Sequence, residues 1–189
     1  WRQTAELAPL VTLNRSEGDA MAVALYCLGQ ASLVRRVVSE GAVSGPDFEH
    51  ISAFIHAAQH AYRACRQLNA DWPDVFPPSA RRAANEFIRR WDASNGEEIR
   101  HALEHYEEAL ARPDHRLRGK PTMFRRIRGI EAPFPDDGFV WDAEEGPKTV
   151  RLLWKEYRIP GVSEAVEQLR LELEAVLVDP DNLRSLRRD

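Results

Sequence analysis

The chemistry in this chain concentrates in the run Arg100-His101-Ala102-Leu103-Glu104-His105. Arg100 brings a permanent cation with five N–H donors in a flat fork, the geometry that suits a phosphate. His105 brings a group able to give or take a proton near neutral pH. Those two groups are what phosphodiester cleavage needs when no metal does the work: a proton shuttle, and a cation for the charge that builds on phosphorus.

The run must sit on a helix. Ile99, Leu103, Tyr106 and Leu110 recur at the spacing of a core stripe. At about 100° per residue, Arg100 and His105 then straddle the opposite face, with His101, Glu104 and Glu108 between them. Such a face is normally only solvated. A second copy of the same face, brought up in a symmetric dimer, turns it into a groove holding two Arg and two His. Ser94-Asn95-Gly96-Glu97 reads as a capping box that restarts the helix just before the motif, and Pro113 ends it near Arg112.

The chain has 189 residues and a formal net charge of −4. It is long enough to bury one core, and it is not a bulk polyanion binder, so contact with nucleic acid requires a local basic patch. One exists. Arg112, Arg116, Arg118, Lys120, Arg125, Arg126 and Arg128 stand against a single acid, Asp114. Gly119, Pro121, Gly129, Pro133 and Pro135 make that stretch a loop or irregular segment, either a surface that tracks a phosphate backbone or simply a solvated face. Phe124 and Trp141 read first as core or hairpin packing, with stacking on a base as the alternative.

Elsewhere the apolar spacing predicts helices over about 16–40, 46–68, 79–91 and 163–178. Gly41 and the Ser44-Gly45-Pro46 cluster end the first. The second buries Ile51, Phe54, Ile55, Ala58, Tyr62 and Cys65. Phe139-Val140-Trp141 and Thr149 to Tyr157 flank Glu144-Glu145-Gly146-Pro147 and predict a β-hairpin over about 138–158. The reading is an all-α, up-and-down bundle of four to five helices with that small hairpin before the last helix. It forms one domain over 1–178, followed by a polar tail over 179–189.

Arg100 to His105 resembles the signature of the HEPN superfamily: Arg, a polar residue, three others, then His. Tyr106-Glu107-Glu108-Ala109-Leu110 resembles the stretch that commonly follows it in bacterial members. The resemblance is specific over about 95–112. It implies a four-to-five-helix bundle that pairs as a homodimer, and in many members a metal-independent endoribonuclease of toxin–antitoxin or defence systems. Carried over by position, Arg100 stabilises the transition-state charge, His101 is the polar member and His105 moves the proton. It also implies an RNA substrate and an antitoxin partner. Members without nuclease activity serve as dimerising or nucleotide-binding modules, and Glu104, Glu107 and Glu108 make the face less basic than a ribonuclease prefers.

A metal site is the remaining alternative. His56 and His60 repeat the four-residue spacing of His101 and His105, and two such pairs can hold zinc. His56 and His60 lie off the core stripe of their helix, however, and no metal or cofactor is expected. His50 reads as an ordinary surface residue. Cys27 and Cys65 fall on apolar helix faces and read as small core residues, in keeping with a reducing, cytoplasmic setting. No apolar run is expected to reach the roughly 20 residues that cross a bilayer, so no membrane partner is expected.

Overall fold

The computed structural model describes the backbone of residues 15–111, 124–127, 130–133, 138–152 and 155–178, and the side chains of 18–105, 138–152 and 155–177. Four helices come first: α1 (Arg15–Ser44), α2 (Phe48–Asp71), α3 (Pro78–Ala93) and α4 (Gly96–Ala111). Five short strands follow, β1 (Phe124–Ile127), β2 (Ile130–Pro133), β3 (Gly138–Asp142), β4 (Gly146–Leu152) and β5 (Lys155–Arg158). Helix α5 (Val162–Val178) closes the described chain. The mainly helical expectation holds at this level, and the sheet stands before the last helix as expected.

Helix α1 is the spine. It packs against α2 along its length and against α5, which returns to lie between α1 and α3. The seam with α2 is built from small residues. Ala20, Ala24, Cys27 and Ala31 are fully buried, as are Ala58, Ala61 and Cys65 opposite them. Helices faced with alanine approach closely, because little side chain separates the backbones. Along α1, Ala24, Ala31 and Val34 are buried, whereas Leu25 is 54% exposed.

Gly41 does not end α1, which runs on to Ser44. A Cβ at Gly41 would lie 2.6 Å from the Trp141 ring, so this glycine makes room for an aromatic. The left-handed residue after the helix is Gly45, at φ 83°. Asp47 then caps α2, its carboxylate accepting from the His50 N–H at 3.0 Å. The predicted inner face of α2 is confirmed in full: Ile51, Phe54, Ile55, Ala58, Tyr62 and Cys65 are all buried.

The expected hairpin over 138–158 is a three-stranded antiparallel sheet in the order β3-β4-β5. Central β4 alternates, with Val150 and Leu152 buried and Lys148 and Arg151 exposed. This alternation marks a sheet with one face on a core. Phe139, Val150 and Tyr157 share one rung across the three strands, and β4 rests on α1 and α4. A second hairpin, β1-β2, pairs Phe124 with Pro133 and Ile127 with Ile130. The stretch expected to be a loop therefore contains strand at Arg125 and Arg126. Phe124, Ile127 and Ile130 supply the strand-forming residues, and Pro133 is tolerated at a strand end.

The junction between α3 and α4 is closely packed. Trp91 is fully buried, and a Cβ at Gly96 would fall 2.0 Å from its indole. Replacing Gly96 by Ala should therefore destabilise the fold by about 2 kcal/mol, overpacking outweighing the gain in helix propensity. Thermal unfolding should show Tm lower by roughly 4 to 8 °C; an unchanged or higher Tm would contradict this packing. In the β3–β4 turn, backbone N–H groups of Glu144 and Glu145, together with Lys148, hold the Asp142 carboxyl down to about 2, from an ordinary 3.8. Since the folded value is the lower one, the turn is stabilised above the ordinary carboxylate range and loses that support as pH falls through about 2. Carboxyl-carbon NMR titration should place the Asp142 midpoint there, and a midpoint near 4 would refute it.

Candidate functional site

Helix α4 begins where the chain turns at Asn95, which adopts the left-handed conformation at φ 55°. Asn95 offers its carbonyl to the N–H groups of Glu98 and Ile99 at 2.9 and 3.0 Å. The expected capping box does not form. Ser94 Oγ instead donates backward to the Arg90 carbonyl at 2.9 Å, finishing α3. The side chain of Glu97, freed from capping, accepts from Gln59 Nε2 of α2 at 2.6 Å.

Gln59 is nearly fully buried, and its own carbonyl oxygen accepts from Trp91 Nε1 of α3 at 2.9 Å. A chain of hydrogen bonds thus runs Trp91–Gln59–Glu97 and ties three helices together just ahead of the motif. On the other side of α4, Lys155 of β5 grips both oxygens of Glu98, at 2.6 and 2.7 Å. Between these two clamps Ile99 and Leu103 are fully buried. The side chains of Tyr106 and Leu110, the other members of the expected stripe, lie outside the described residues.

The motif residues sit at the border of the core. Arg100 and His105 are half-buried, not opposite the core as the helical period alone suggests, while His101 and Glu104 are exposed. The guanidinium of Arg100 bonds to Glu104, one turn on. Its Nε lies 3.5 Å from Glu97 Oε2 and is buried with no hydrogen-bond acceptor among the described residues. His101 and His105 face each other with Nε2 atoms 3.1 Å apart and rings nearly perpendicular, at 75°. At that distance one ring donates and the other accepts, so the pair shares one proton on this axis. The site thus offers a cation already engaged by carboxylates, beside an imidazole pair able to store and pass a proton.

Residues α2 contributes here had no local signature in the sequence. Gln59 is an isolated amide, and Arg63, 3.9 Å from Glu97, is one arginine among many. Tyr62 donates to Asp92 at 2.8 Å and accepts from Arg66 at 3.0 Å; burial raises its phenol above the ordinary range. Only the i, i+4 pattern Gln59–Arg63 and the proximity of Arg66 hinted that this face of α2 is polar by design.

Other expectations fare unevenly. Arg112, Arg116, Arg118, Lys120 and Arg128 lie outside the described residues, as do the side chains of Arg125, Arg126 and Phe124. Trp141 is half-buried over Gly41, with His50 packed edge-on at 6.3 Å, in keeping with the packing role read for it. His50 is not an ordinary surface residue, since its Nδ1 is 2.6 Å from Asp47. His60 packs edge-on to Tyr26 at 6.2 Å, and among the described residues no three His, Cys, Asp or Glu side chains cluster to hold an ion. Contrary to the reading of the apolar runs, Gly18–Ser44 within α1 is by length and composition apolar enough to cross a membrane. Its inner face is committed to α2 and α5, and the core helix of a bundle meets the same criterion.

The rigidity of this site should come from the buried amide, not the ion pairs. Glu97 and Glu104 are about half exposed, so Arg100→Ala should cost no more than about 1 kcal/mol. Gln59→Ala strands the buried Trp91 N–H and should cost about 2 kcal/mol. Urea unfolding of both variants checks the order, and the reverse order would transfer the scaffolding role to Arg100.

Compared with known proteins, the chain shows no significant match to any family model, curated sequence or solved structure.

Proposed function

We propose that this chain is a metal-independent endoribonuclease that works as a homodimer, with Arg100, His101 and His105 as its reacting groups. The observation that carries the reading is the imidazole pair: two Nε2 atoms 3.1 Å apart on the helix that also bears Arg100. RNA supplies its own nucleophile. The 2′-hydroxyl loses its proton to a neutral imidazole as its oxygen attacks phosphorus. The P–O5′ bond then breaks, and a protonated imidazole gives its proton to the departing 5′-oxygen. The products are a 2′,3′-cyclic phosphate and a 5′-hydroxyl. The guanidinium of Arg100, once a carboxylate gives way, supplies donors for the oxygen that gains charge.

Each protomer offers one Arg and two His from α4, so apposing two α4 faces gathers a complete acid–base set around one phosphate. The basic stretch 112–128 follows α4 in sequence and holds the RNA backbone in this reading. A HEPN-like bundle acting as a cytoplasmic toxin or defence effector, restrained by an antitoxin, is the biological setting that accords with such a site.

One observation favours a second reading, a non-catalytic dimerisation or nucleotide-binding module of the same fold. Glu104 and Glu97 flank the guanidinium of Arg100, and a phosphate must displace at least one of them to reach it.

Cleavage of a mixed structured and single-stranded RNA pool in EDTA separates the two. Wild type should generate cyclic-phosphate ends, and Arg100→Ala and His105→Ala should each lower the rate at least about 100-fold while remaining folded and dimeric. No cleavage, or cleavage indifferent to both substitutions, would establish the module reading instead.

A further inference from the structure

We infer that Cys27 and Cys65 form a buried dithiol that closes to an intramolecular disulfide, bolting α1 to α2, when a small peroxide oxidant reaches it. The two Sγ atoms are 3.5 Å apart, and they are the chain's only cysteines. A core cysteine acts as a small hydrophobe and needs no sulfur partner; here one thiol from each helix meets the other across the alanine seam. Ala24 and Ala31 flank Cys27 by three and four residues, and Ala58 and Ala61 precede Cys65 on the same face. Cys27 Sγ also lies 3.7 Å from the Ala61 carbonyl, so the α2 backbone itself is within reach of the α1 side chain. Bonding requires the sulfurs to close from 3.5 Å by about 1.5 Å.

Both residues are fully shielded from solvent. The hydrogen bond to Cys27 and burial push the Cys65 thiol well above its ordinary value, which keeps thiolate scarce and the reduced pair slow to react. A small neutral peroxide suits such a site better than a bulky disulfide reagent. One thiol attacks the peroxide O–O bond, becoming a sulfenic acid as the first water leaves. The second thiol then displaces the hydroxyl as a second water, forming the S–S bond. Two thiol protons and two electrons pass to the peroxide, which ends as two waters.

The test uses the full chain, reduced or treated with hydrogen peroxide, then unfolded and alkylated with iodoacetamide. Oxidised protein should lose about 2 Da and take up no label, and dithiothreitol should restore both thiols. Because the cross-link spans 38 positions, it should also raise Tm by about 10 °C. Cys27→Ala and Cys65→Ala should show no 2 Da loss; should either fail to fold, the comparison of oxidised and reduced wild type decides alone. Two alkylated thiols after oxidation, stable gain of whole oxygens, covalent dimers or a lowered Tm would each overturn the inference. The readout is independent of RNA cleavage, so failure of one proposal leaves the other standing.

Discussion

The geometry of the motif helix depends on a single buried amide. Gln59 receives the Trp91 indole N–H through its oxygen and gives its own N–H to Glu97. Both ends of that amide are satisfied inside the bundle, so it contributes without stranding a polar group. Remove it and α2, α3 and α4 retain hydrophobic contacts and the more exposed Tyr62–Asp92 and Arg63–Glu97 links, but lose the buried bond that joins all three. Trp91 then has freedom to tilt, Gly96 no longer defines a tight crossing, and the first turn of α4 can rotate. The Lys155–Glu98 pair steadies the same turn from the sheet, but it lies at the surface, where such pairs contribute little.

Around Arg100 the scaffold and the candidate site share one carboxylate. Glu97 serves the scaffold through Gln59 and the guanidinium through its other oxygen. The carboxylate that anchors α4 is therefore also one that shields the candidate phosphate-binding group. Such a layout keeps the cation oriented while unliganded, at the cost of competition when an anion arrives.

Strong periodic patterns carried most of the helical framework into view. The buried face of α2 was legible residue by residue, because large apolar side chains recur along it. Helix α1 was harder: its seam is made of alanine and cysteine, while Leu25 faces outward, so hydrophobicity alone points to the wrong side. Gly41 and Ser94 have the local chemistry of helix terminators and cappers, yet Gly41 packs against Trp141, a hundred positions on, and Ser94 turns back to the Arg90 carbonyl of its own helix rather than forward into α4. The candidate run Arg100–His105 is visible from its spacing. Its carboxylate neighbours were visible too, but the hold that Gln59 exerts on Glu97 spans 38 positions, and no local pattern encodes it. The first hairpin was masked by the density of arginine, glycine and proline around four-residue strands.

The return of α5 to lie between α1 and α3 has a consequence for how the chain is made. The α1–α2 hairpin can assemble once Asp71 has emerged from the ribosome, since its contacts are local. The groove that α5 fills stays open until roughly a hundred further residues are synthesised, a delay of about 5 to 20 s. Over that interval the sides of α1 and α3 that pack on α5 stay uncovered, the kind of exposed apolar surface that invites aggregation. Truncation before Val178 leaves the same wound permanently, so premature termination near the end should be far more damaging than its small share of the length suggests.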